Sequence, residues 1–376
     1  MKVLLIGGTG LLSSEILSLC IQNGYDVSVL NRGSNNKQIE KQVKILIADF
    51  YNNDSVESVV HNLTFDVVVD FLSRKKEDIE RIFPIFLDRC KQYVFISTAC
   101  VYRRLKEDGI ITEDSPKPNV DWSYNIEKYE CEQTLIELAK NSDVKYTIVR
   151  PYITYDNTRI PLGIAPLYGF HWTIIGRILA DKPIFVWDKG ESITTLTRVE
   201  DFAKGVVGLL GNEKAYNEDF HITTKEANTW NEFLLLLYKI LNKQPNIVEI
   251  PTKYIIAQLP EYKGILLGDR AIDSQFDNSK ILDTVSGLEF SITLEDGLRR
   301  TINYYKENNF LKGIDYKYDA KIDRLIAKYV PQKIQFVDYL KANNKKEKIT
   351  YLIYRYIPAN TINKVAWLLK KTKIKI

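Results

Sequence analysis

Residues 1–150 of this 376-residue chain predict a doubly wound α/β fold built on a parallel sheet. Short runs of Val, Ile and Leu recur along this part of the chain, and helical patterns separate them. Strands that are buried on both faces have such continuous apolar runs, and strand–helix alternation implies right-handed crossovers between parallel strands. The predicted strands are KVLLIG, DVSVL, VKILIAD, FDVVVDF, QYVFIS and YTIVR.

A second, smaller lobe is predicted after Pro151, where loops lengthen and Gly, Pro and aromatic residues accumulate. Helices are expected at 173–180, at RVEDFAKGVVGLLG and at TWNEFLLLLYKILN, for which Thr229 is a candidate N-cap. The strand DFHITT is expected to return to the sheet, so that the two lobes interleave. We therefore predict a dinucleotide-binding domain at 1–160 with later segments near 195–225, a substrate-binding lobe at 161–330 and a basic helical tail at 331–376.

Composition and charge narrow the class of protein. With 45% hydrophobic and 27% charged residues, the chain suits a soluble globular enzyme. The four cysteines lack CxxC spacing, the three histidines are dispersed and no signal peptide is evident, so we expect a cytoplasmic protein with reduced thiols and no metal site. Residues 331–376 hold 11 Lys and Arg against 2 Asp and Glu, whereas the rest of the chain is acidic overall. The acidic body gives no reason to expect a nucleic-acid partner.

The loop after the first strand, GGTGLLS, has the composition of a dinucleotide-binding (Rossmann) turn. Its glycines permit a tight turn and let the backbone approach a pyrophosphate, and the helix that follows offers free N–H groups. Ser13 occupies the third glycine position as the next smallest choice that keeps a hydroxyl. The residues expected to contact the cofactor here are Gly7, Gly8, Thr9, Gly10, Leu11 and Leu12.

The end of the second strand, Asn31-Arg32-Gly33, predicts which cofactor is bound. An acid near this point binds the ribose 2′-hydroxyl of NAD, whereas an arginine accommodates the 2′-phosphate of NADP. Arg32 can fork onto phosphate oxygens, Asn31 adds donors, and no acidic residue between 27 and 38 would repel the phosphate. We therefore expect NADP(H) to be favoured over NAD(H), with a solvated loop arginine as the alternative.

Two further strand ends are expected to line the cofactor. Asp49 and Phe50 follow the third strand, where such folds commonly hold the adenine, although Asp49 equally suits a solvated strand end. Phe71 follows the fourth strand and is expected on the nicotinamide side.

A catalytic set is indicated by VFISTACVYRR, which ends the fifth strand, and by WSYNIEKYECEQTL, which opens the next helix. Tyr124 and Lys128 are four residues apart and share one helical face. A tyrosine has an ordinary pKa of about 10, and a neighbouring ammonium is expected to lower that pKa toward the range of an acid/base catalyst. Thr98 ends the adjacent strand and can offer its hydroxyl to the same substrate oxygen.

These motifs carry a family resemblance. GGTGLLS, STACVY, YNIEK, VRPYITYD and RVEDFA occur in an order and spacing that resembles the extended short-chain dehydrogenase/reductases, a family of nucleotide-sugar epimerases, dehydratases and reductases, over about residues 1–310. The resemblance implies that Tyr124 is the proton donor or acceptor, with Thr98 beside it, and that Lys128 bonds the nicotinamide ribose. It also places Pro151 among the cofactor-binding residues and implies a nucleotide-sugar substrate and a homo-oligomer.

The chain departs from this family at informative places. Related dehydratases carry Asp-Glu directly after the catalytic threonine; here Ala99 and Cys100 follow, so dehydration is not expected. Many relatives bind the substrate diphosphate with an arginine at the position of Thr194, and the resemblance makes Arg270 the candidate replacement, with a surface ion-pair partner as the alternative. Tyr152 is a candidate for stacking on a base or sugar, with core packing as the alternative.

The basic tail leaves two interpretations open. Asn360 or Thr361 can cap a helix in which Ile362, Val365, Ala366 and Leu369 share one face, beside Trp367. Such a helix can dock on the body or on a neighbouring subunit with its lysines solvated, which is the simpler interpretation. Alternatively, residues 349–376 make peripheral contact with an anionic membrane surface.

From these features we expect an NADPH-dependent reductase of a nucleotide-activated keto-sugar or ketose, acting in surface glycan (polysaccharide) biosynthesis. The first alternative is an epimerase that oxidises and re-reduces its substrate on a retained cofactor. The second is a cofactor-sensing binding protein without chemistry, which has little need for Thr98, Tyr124 and Lys128 together.

Overall fold

The computed structural model describes residues 1–34, 43–104, 109–333, 345–357, 361–362 and 364. The strands in these ranges are β1 (Lys2–Ile6), β2 (Asp26–Asn31), β3 (Lys44–Ile47), β4 (Phe65–Asp70), β5 (Cys90–Ile96), β6 (Lys145–Pro151), β7 (Thr154–Tyr155), β8 (Ile184–Trp187), β9 (Ile193–Thr195), β10 (Thr197–Arg198), β11 (Glu218–Ile222), β12 (Ala227–Thr229) and β13 (Ile247–Ile250).

The α-helices in the same ranges are α1 (Leu11–Gln22), α2 (Asn53–Val60), α3 (Lys76–Ile82), α4 (Ser123–Ala139), α5 (Trp172–Leu179), α6 (Val199–Leu209), α7 (Trp230–Ile240), α8 (Thr252–Gln258), α9 (Lys263–Ile265), α10 (Ser279–Thr284), α11 (Leu294–Glu307), α12 (Tyr316–Tyr329) and α13 (Lys345–Tyr356). Short 3₁₀ and π turns link several of them.

A parallel sheet in the order β11-β6-β5-β4-β1-β2-β3 confirms the predicted doubly wound fold. The order reverses between β4 and β1, because β2 and β3 lie on one side of β1 and the later strands lie on the other. The DFHITT segment does return to the sheet, where β11 pairs with β6 in the register Phe220↔Val149. Ligands of such sheets bind outside the carboxyl ends of the strands at this switch point.

The sheet is buried on both faces because alternate residues of its strands enter two separate cores. Val3 and Leu5 pack on one side with residues of α1 and α6, whereas Leu4 and Ile6 pack on the other with residues of α2, α3 and α4. A fully buried aliphatic side chain contributes about 1.5–3 kcal/mol relative to an exposed one. This two-sided burial explains the continuous apolar runs in the sequence and fixes the strand ends that carry the site.

Local signals place several helices as the sequence predicts. Thr229 caps α7 in a capping box: its hydroxyl accepts the Glu232 N–H at 3.1 Å, and the Glu232 carboxylate accepts the Thr229 N–H at 2.7 Å. The helix expected at 173–180 is α5, one residue earlier at each end.

The chain forms two compact units. The first comprises 1–156, 192–228 and 264–297, and the second comprises 157–191, 229–263 and 298–376. Residues 264–297 thus cluster with the sheet, although the sequence analysis places them in the second lobe.

The tail helix expected after residue 360 is mostly untested: Asn360, Val365, Ala366, Trp367 and Leu369 lie outside the described residues. Within the predicted helical tail the structure shows α13 at Lys345–Tyr356, upstream of the helix that Asn360 or Thr361 was expected to cap. Among the described residues, no helix is long and apolar enough to span a bilayer.

Candidate active site

The glycine-rich loop lies at the carboxyl end of β1, beside the ends of β2 and β4. Gly7 adopts φ +91°, and its N–H donates to Leu30 O at 2.9 Å, which ties the loop to β2. A Cβ at Gly7 would lie 2.7 Å from Leu72 Cδ2, and a Cβ at Gly8 would lie 2.8 Å from the Val29 methyls. Both glycines are therefore required by the packing of the loop against neighbouring strands.

Ser13 closes this loop with two hydrogen bonds. Its hydroxyl donates to Gly7 O at 2.7 Å and accepts the Gly10 N–H at 2.8 Å. The serine is buried, so it keeps the small volume that the third glycine position needs. Its hydroxyl therefore has a structural function in this loop.

The space around Gly10 indicates whether a dinucleotide can approach the loop. Gly10 caps α1 at an ordinary φ of −88°, and a Cβ there would have only Ser13 Oγ, at 3.5 Å, among its neighbours within 4 Å. Neither backbone strain nor internal packing requires this glycine, whereas close approach of a ligand to the helix N-terminus does. The loop therefore fits the pyrophosphate of a dinucleotide, which Thr9, Leu11 and Leu12 would contact through the backbone.

Arg32 lies at the same edge of the sheet. It is exposed and follows β2 two residues after Leu30, whose carbonyl accepts the Gly7 N–H. The Asn31 side-chain oxygen accepts the Gly33 N–H at 2.7 Å and so shapes this turn. The structure therefore places Arg32 at an exposed position directly after β2.

The expected adenine-side residues differ in what they can contribute. Asp49 is exposed, and its carboxylate accepts the Tyr51 N–H at 3.2 Å. Phe50 is buried in the core, and the Arg81 guanidinium lies 4.8 Å from its ring centroid. The Phe50 ring is thus held by packing, and its carbonyl accepts a hydrogen bond from the Arg81 guanidinium.

The nicotinamide-side residues lie where strands end near the switch point. Phe71 follows β4 and is half-buried. The preceding Asp70 is fully buried and accepts the N–H groups of Leu72 and Ser73 at 2.8 and 3.0 Å, together with the Tyr93 hydroxyl at 2.8 Å. This carboxylate therefore shapes the turn. Pro151, at the end of β6, is half-buried.

Thr98 and Tyr124 lie near each other: Thr98 follows β5, and Tyr124 is in the first turn of α4. Burial raises the pKa of Tyr124 to about 12; the nearby Cys100 adds to the rise, while the Thr98 side chain and the Arg74 charge oppose it. The predicted lowering of this pKa by Lys128 is wrong for this structure, because burial outweighs the favourable groups. The cation that helps Tyr124 is Arg74, which the sequence analysis missed because it lies on a loop remote in sequence.

Lys128 is held beneath the site by the ends of two strands. Its ammonium donates to Ser73 O and Ile96 O, both at 2.8 Å, and lies 4.5 Å from the Phe95 ring centroid. Burial lowers the pKa of Lys128 to about 8. The side chain is thus fixed between β4 and β5, at the carboxyl edge of the sheet.

A buried ion pair fixes α4 to the sheet, and sequence analysis missed it. Glu132 accepts the Ser97 hydroxyl at 2.5 Å and both Nε and Nη2 of Arg150, at 2.9 and 2.8 Å. Glu132 lies four residues after Lys128 and eight after Tyr124, so helical spacing alone could have placed it on the same face. Ser97 precedes Thr98, and this network therefore connects both members of the catalytic pair.

The expected substrate residues lie in a buried polar cluster within the first unit. The Arg270 guanidinium pairs with Asp269, which also accepts Arg104 at 2.8 Å. Tyr152 is buried, with the Arg104 guanidinium 5.6 Å from its ring centroid and Phe276 5.0 Å away. The Tyr152 hydroxyl has no hydrogen-bond partner among the described residues. Arg270 is thus buried rather than on the surface.

Thr194 and Cys100 are also buried, and so is Ala99. In the part of the chain that the structure describes, no group of three or more His, Cys, Asp or Glu side chains could hold a metal ion.

Comparison with known proteins supports the resemblance. A protein of Arabidopsis thaliana described as chloroplast stem-loop binding protein of 41 kDa b is 30% identical over 247 residues, which cover 61% of this chain and 60% of that protein. The chain thus spans less than two thirds of that relative. A putative UDP-glucose 4-epimerase of Methanocaldococcus jannaschii is 24% identical over 82% of this chain and 99% of that protein.

Solved structures agree on the fold. UDP-glucuronic acid 4-epimerase from Bacillus cereus, in complex with UDP-glucuronic acid and NAD, superposes with a TM-score of 0.66 at 20% identity, covering 82% of this chain and 99% of that chain. Residues 3–223 match the model of the NAD dependent epimerase/dehydratase family. Because this match covers more than half of the chain, the protein belongs to the NAD dependent epimerase/dehydratase family and is an NAD(P)-dependent oxidoreductase of the extended short-chain type.

Proposed function

We propose that this chain is a nucleotide-sugar epimerase that oxidises and re-reduces its substrate on a retained NAD(P). The observation that carries this proposal is the proximity of Thr98 and Tyr124 at the carboxyl edge of the sheet that also bears the glycine loop. The two epimerases named above, both matched over nearly their full length, favour this reaction over the net reduction that the sequence analysis preferred.

The chain's own residues supply the proton chemistry of such a reaction. When bound, a nicotinamide supplies the hydride acceptor and donor. Tyr124 Oη would take the proton of a substrate hydroxyl as a carbonyl forms, and it would return that proton on re-reduction. Thr98 Oγ1 would orient the same oxygen, and Lys128 would hold the ribose from below. Because its environment favours the protonated phenol, Tyr124 would first have to release its own proton to solvent, and the positive charge of an oxidised nicotinamide, when bound, would favour that release.

The substrate class follows from the buried cations near Tyr152. The guanidiniums of Arg104 and Arg270 both contact the Asp269 carboxylate in this cluster. Guanidiniums can bind phosphate oxygens in a bidentate way, so they would bind a substrate diphosphate in place of the arginine that is absent at Thr194. We expect Arg270 and Tyr152 to contact the nucleotide part of the substrate.

Net reduction with NADPH is the second candidate function, and Arg32 favours it. The exposed guanidinium suits a 2′-phosphate, and reductases that release their cofactor after each turnover commonly draw on NADPH. A binding protein without chemistry is less well supported, because it has no need of the Thr98–Tyr124 pair.

One experiment separates these candidates. Purified protein is denatured and its released nucleotide is identified. Native protein is then incubated with UDP-glucose, UDP-glucuronic acid or dTDP-glucose without added cofactor, and separately with a nucleotide-linked keto-sugar and NADPH, and the products are separated by chromatography. An epimerase yields bound NAD(H) and an epimeric sugar without added cofactor. A reductase consumes added NADPH on a keto-sugar. Failure of both reactions with every substrate would contradict the enzymatic proposal.

The cofactor preference is tested by Arg32→Asp. If Arg32 binds the 2′-phosphate, Arg32→Asp should raise the Kd of NADPH by about a hundredfold, because it removes one charge-assisted contact and adds a negative charge that repels the phosphate. The Kd of NADH should change little. Arg103→Asp, at another exposed arginine of the same unit, is the control and should alter neither. Equal weakening of both cofactors would show that Arg32 does not select between them.

A further inference from the structure

Helix α13 is firmly attached to the second unit through a buried charge cluster. The Tyr351 hydroxyl donates to Asp323 Oδ2 at 2.6 Å. Lys182 reaches Asp323 at 2.6 Å and Asp319 at 3.0 Å, and Arg177 pairs with both carboxylates. All five side chains are buried. Near the end of the helix, the Arg324 guanidinium donates to the Ile357 carbonyl at 2.6 Å. The anchored face therefore fixes which face of α13 points to solvent.

The solvent face carries an apolar stripe. Ile349, Leu352 and Tyr356 are spaced by three and four residues, which places them along one side of the helix. Their exposed fractions are 54%, 38% and 41%, and the adjoining Ile357 is 38% exposed. Exposed apolar side chains grouped in this way indicate an interaction surface.

Cations flank the stripe on both sides. At about 100° per residue, Lys348 and Arg355 lie on one flank and Lys346 lies on the other. Lys346 and Lys348 are exposed, as is Lys345 at the start of the helix. The surrounding sequence is also basic, since residues 331–376 contain 11 Lys and Arg against 2 acids.

We propose that the exposed face of α13 lies on an anionic phospholipid surface, with Ile349, Leu352 and Tyr356 at the acyl boundary and the flanking lysines at the headgroups. The apolar stripe suits the acyl boundary of such a surface, and the cationic flanks suit its anionic headgroups. A second copy of the chain fits less well, because pairing two such faces would bring lysines against lysines. The proposal does not depend on the catalytic function.

Vesicle binding tests this proposal. The full chain is sedimented with vesicles of phosphatidylcholine alone and with vesicles of phosphatidylcholine and phosphatidylglycerol in equal amounts, at low and high sodium chloride. We expect binding to the anionic vesicles only, weakened by salt. Leu352→Glu should reduce that binding by about tenfold or more, because it places an acid in the stripe. Leu235→Glu is the matched control: Leu235 is 41% exposed on α7 of the same unit, and its replacement should leave binding unchanged.

A second variant guards against loss of folding. Lys346→Gln combined with Lys348→Gln retains the stripe and removes two charges, so it should weaken anionic binding while circular dichroism stays that of the wild type. Equal binding to both vesicle types, wild-type binding by Leu352→Glu, or no vesicle binding at all would overturn the proposal. If no vesicle binding is seen, and if Leu352→Glu lowers the mass measured by light scattering from that of an oligomer to that of a monomer, the exposed face of α13 would instead be a self-association surface.

Discussion

Tyr124 carries the proton chemistry of the proposed reaction, and Thr98 lies beside it. Tyr124→Phe removes the transferable proton and leaves the ring, so turnover should fall by about a hundredfold or more while cofactor affinity stays near that of the wild type. Product formation and nucleotide binding are measured on the same preparations. Tyr129→Phe, five residues further along α4, is the control and should retain activity. Substantial activity in Tyr124→Phe would remove Tyr124 from the mechanism.

Some properties of single site residues follow from the sequence, and others depend on contacts with distant segments. The pattern around Gly7, Gly10 and Ser13 predicted a tight loop correctly, because glycine and serine at a strand–helix junction have few other uses. The electrostatic environment of Tyr124 was not predictable, because burial and the Arg74 charge come from segments remote in sequence. Spacing can place Lys128 on the same face as Tyr124, but it does not reveal that two strand carbonyls bind its ammonium.

Helix α4 is positioned as an element by the Glu132 carboxylate. Glu132→Gln keeps the shape of the side chain and leaves the Arg150 charge buried with only part of its compensation, which Asp219 provides. We expect the free energy of unfolding to fall by about 3 kcal/mol, as for other broken buried pairs. Urea denaturation measures this loss. Glu130→Gln, at an exposed position of the same helix, should stay within about 0.5 kcal/mol of the wild type; a similarly small loss for Glu132→Gln would show that the network is dispensable.

The attachment of α13 to α12 provides a second test at this scale. Tyr351→Phe removes the hydroxyl that donates to Asp323 and leaves both cations of the cluster in place. The expected cost is about 1–2 kcal/mol of unfolding free energy, the value of one buried hydrogen bond to a charged group. Tyr356→Phe, at a position that is 41% exposed, is the control in the same denaturation series. Equal stability of the two variants would mean that the hydroxyl does not stabilise the attachment.

Strands and helices were predictable from the sequence where the local residue pattern is strong. The strands β1 to β6 and the return of β11 follow from apolar runs that only two-sided burial explains. The return of 264–297 to the first unit was not predictable, because contacts such as Asn119 and Asn125 to the Gly268 carbonyl, at 2.8 and 3.1 Å, join segments far apart in the chain. The anchored face of α13 was not predictable from the sequence either. Tyr351 and the exposed Tyr356 are the same residue type, and it is the contact with Asp323 that distinguishes Tyr351.

At the scale of the whole molecule, each compact unit contains one buried histidine. His221 lies in the first unit, where Nε2 donates to Asp277 O at 2.5 Å and Nδ1 lies 3.2 Å from the Tyr102 hydroxyl, an arrangement that the neutral ring can make. His171 lies in the second unit, where its Nδ1 is 3.0 Å from the Ile160 N and also 3.0 Å from the Ile160 O. Burial lowers the pKa of each histidine to about 4, and nearby arginines, Arg150 and Arg159 respectively, act in the same direction.

These two histidines should make the protein sensitive to mild acid. Because each folded-state pKa lies below the unfolded value of about 6.5, the unfolded chain binds more protons between pH 6.5 and 4, and stability present above that window is lost as the pH falls through it. The loss should reach about 3 kcal/mol per histidine at the acid end. Glu113, which faces His221 and whose pKa is raised by burial, offsets a small part of this loss, because its protonated form favours folding.

Urea denaturation at pH 7, 6, 5 and 4 measures this acid sensitivity for the wild type and for His221→Gln. Glutamine stays neutral and can both donate to Asp277 O and accept from Tyr102, so its stability curve should be shallower by about 3 kcal/mol across the window. His61→Gln, at an exposed histidine of α2's C-terminal end, should retain the wild-type slope. An unchanged slope in His221→Gln would show that His221 is not a source of the acid sensitivity, whereas a slope lost in both variants would point to a general charge effect rather than to the buried ring.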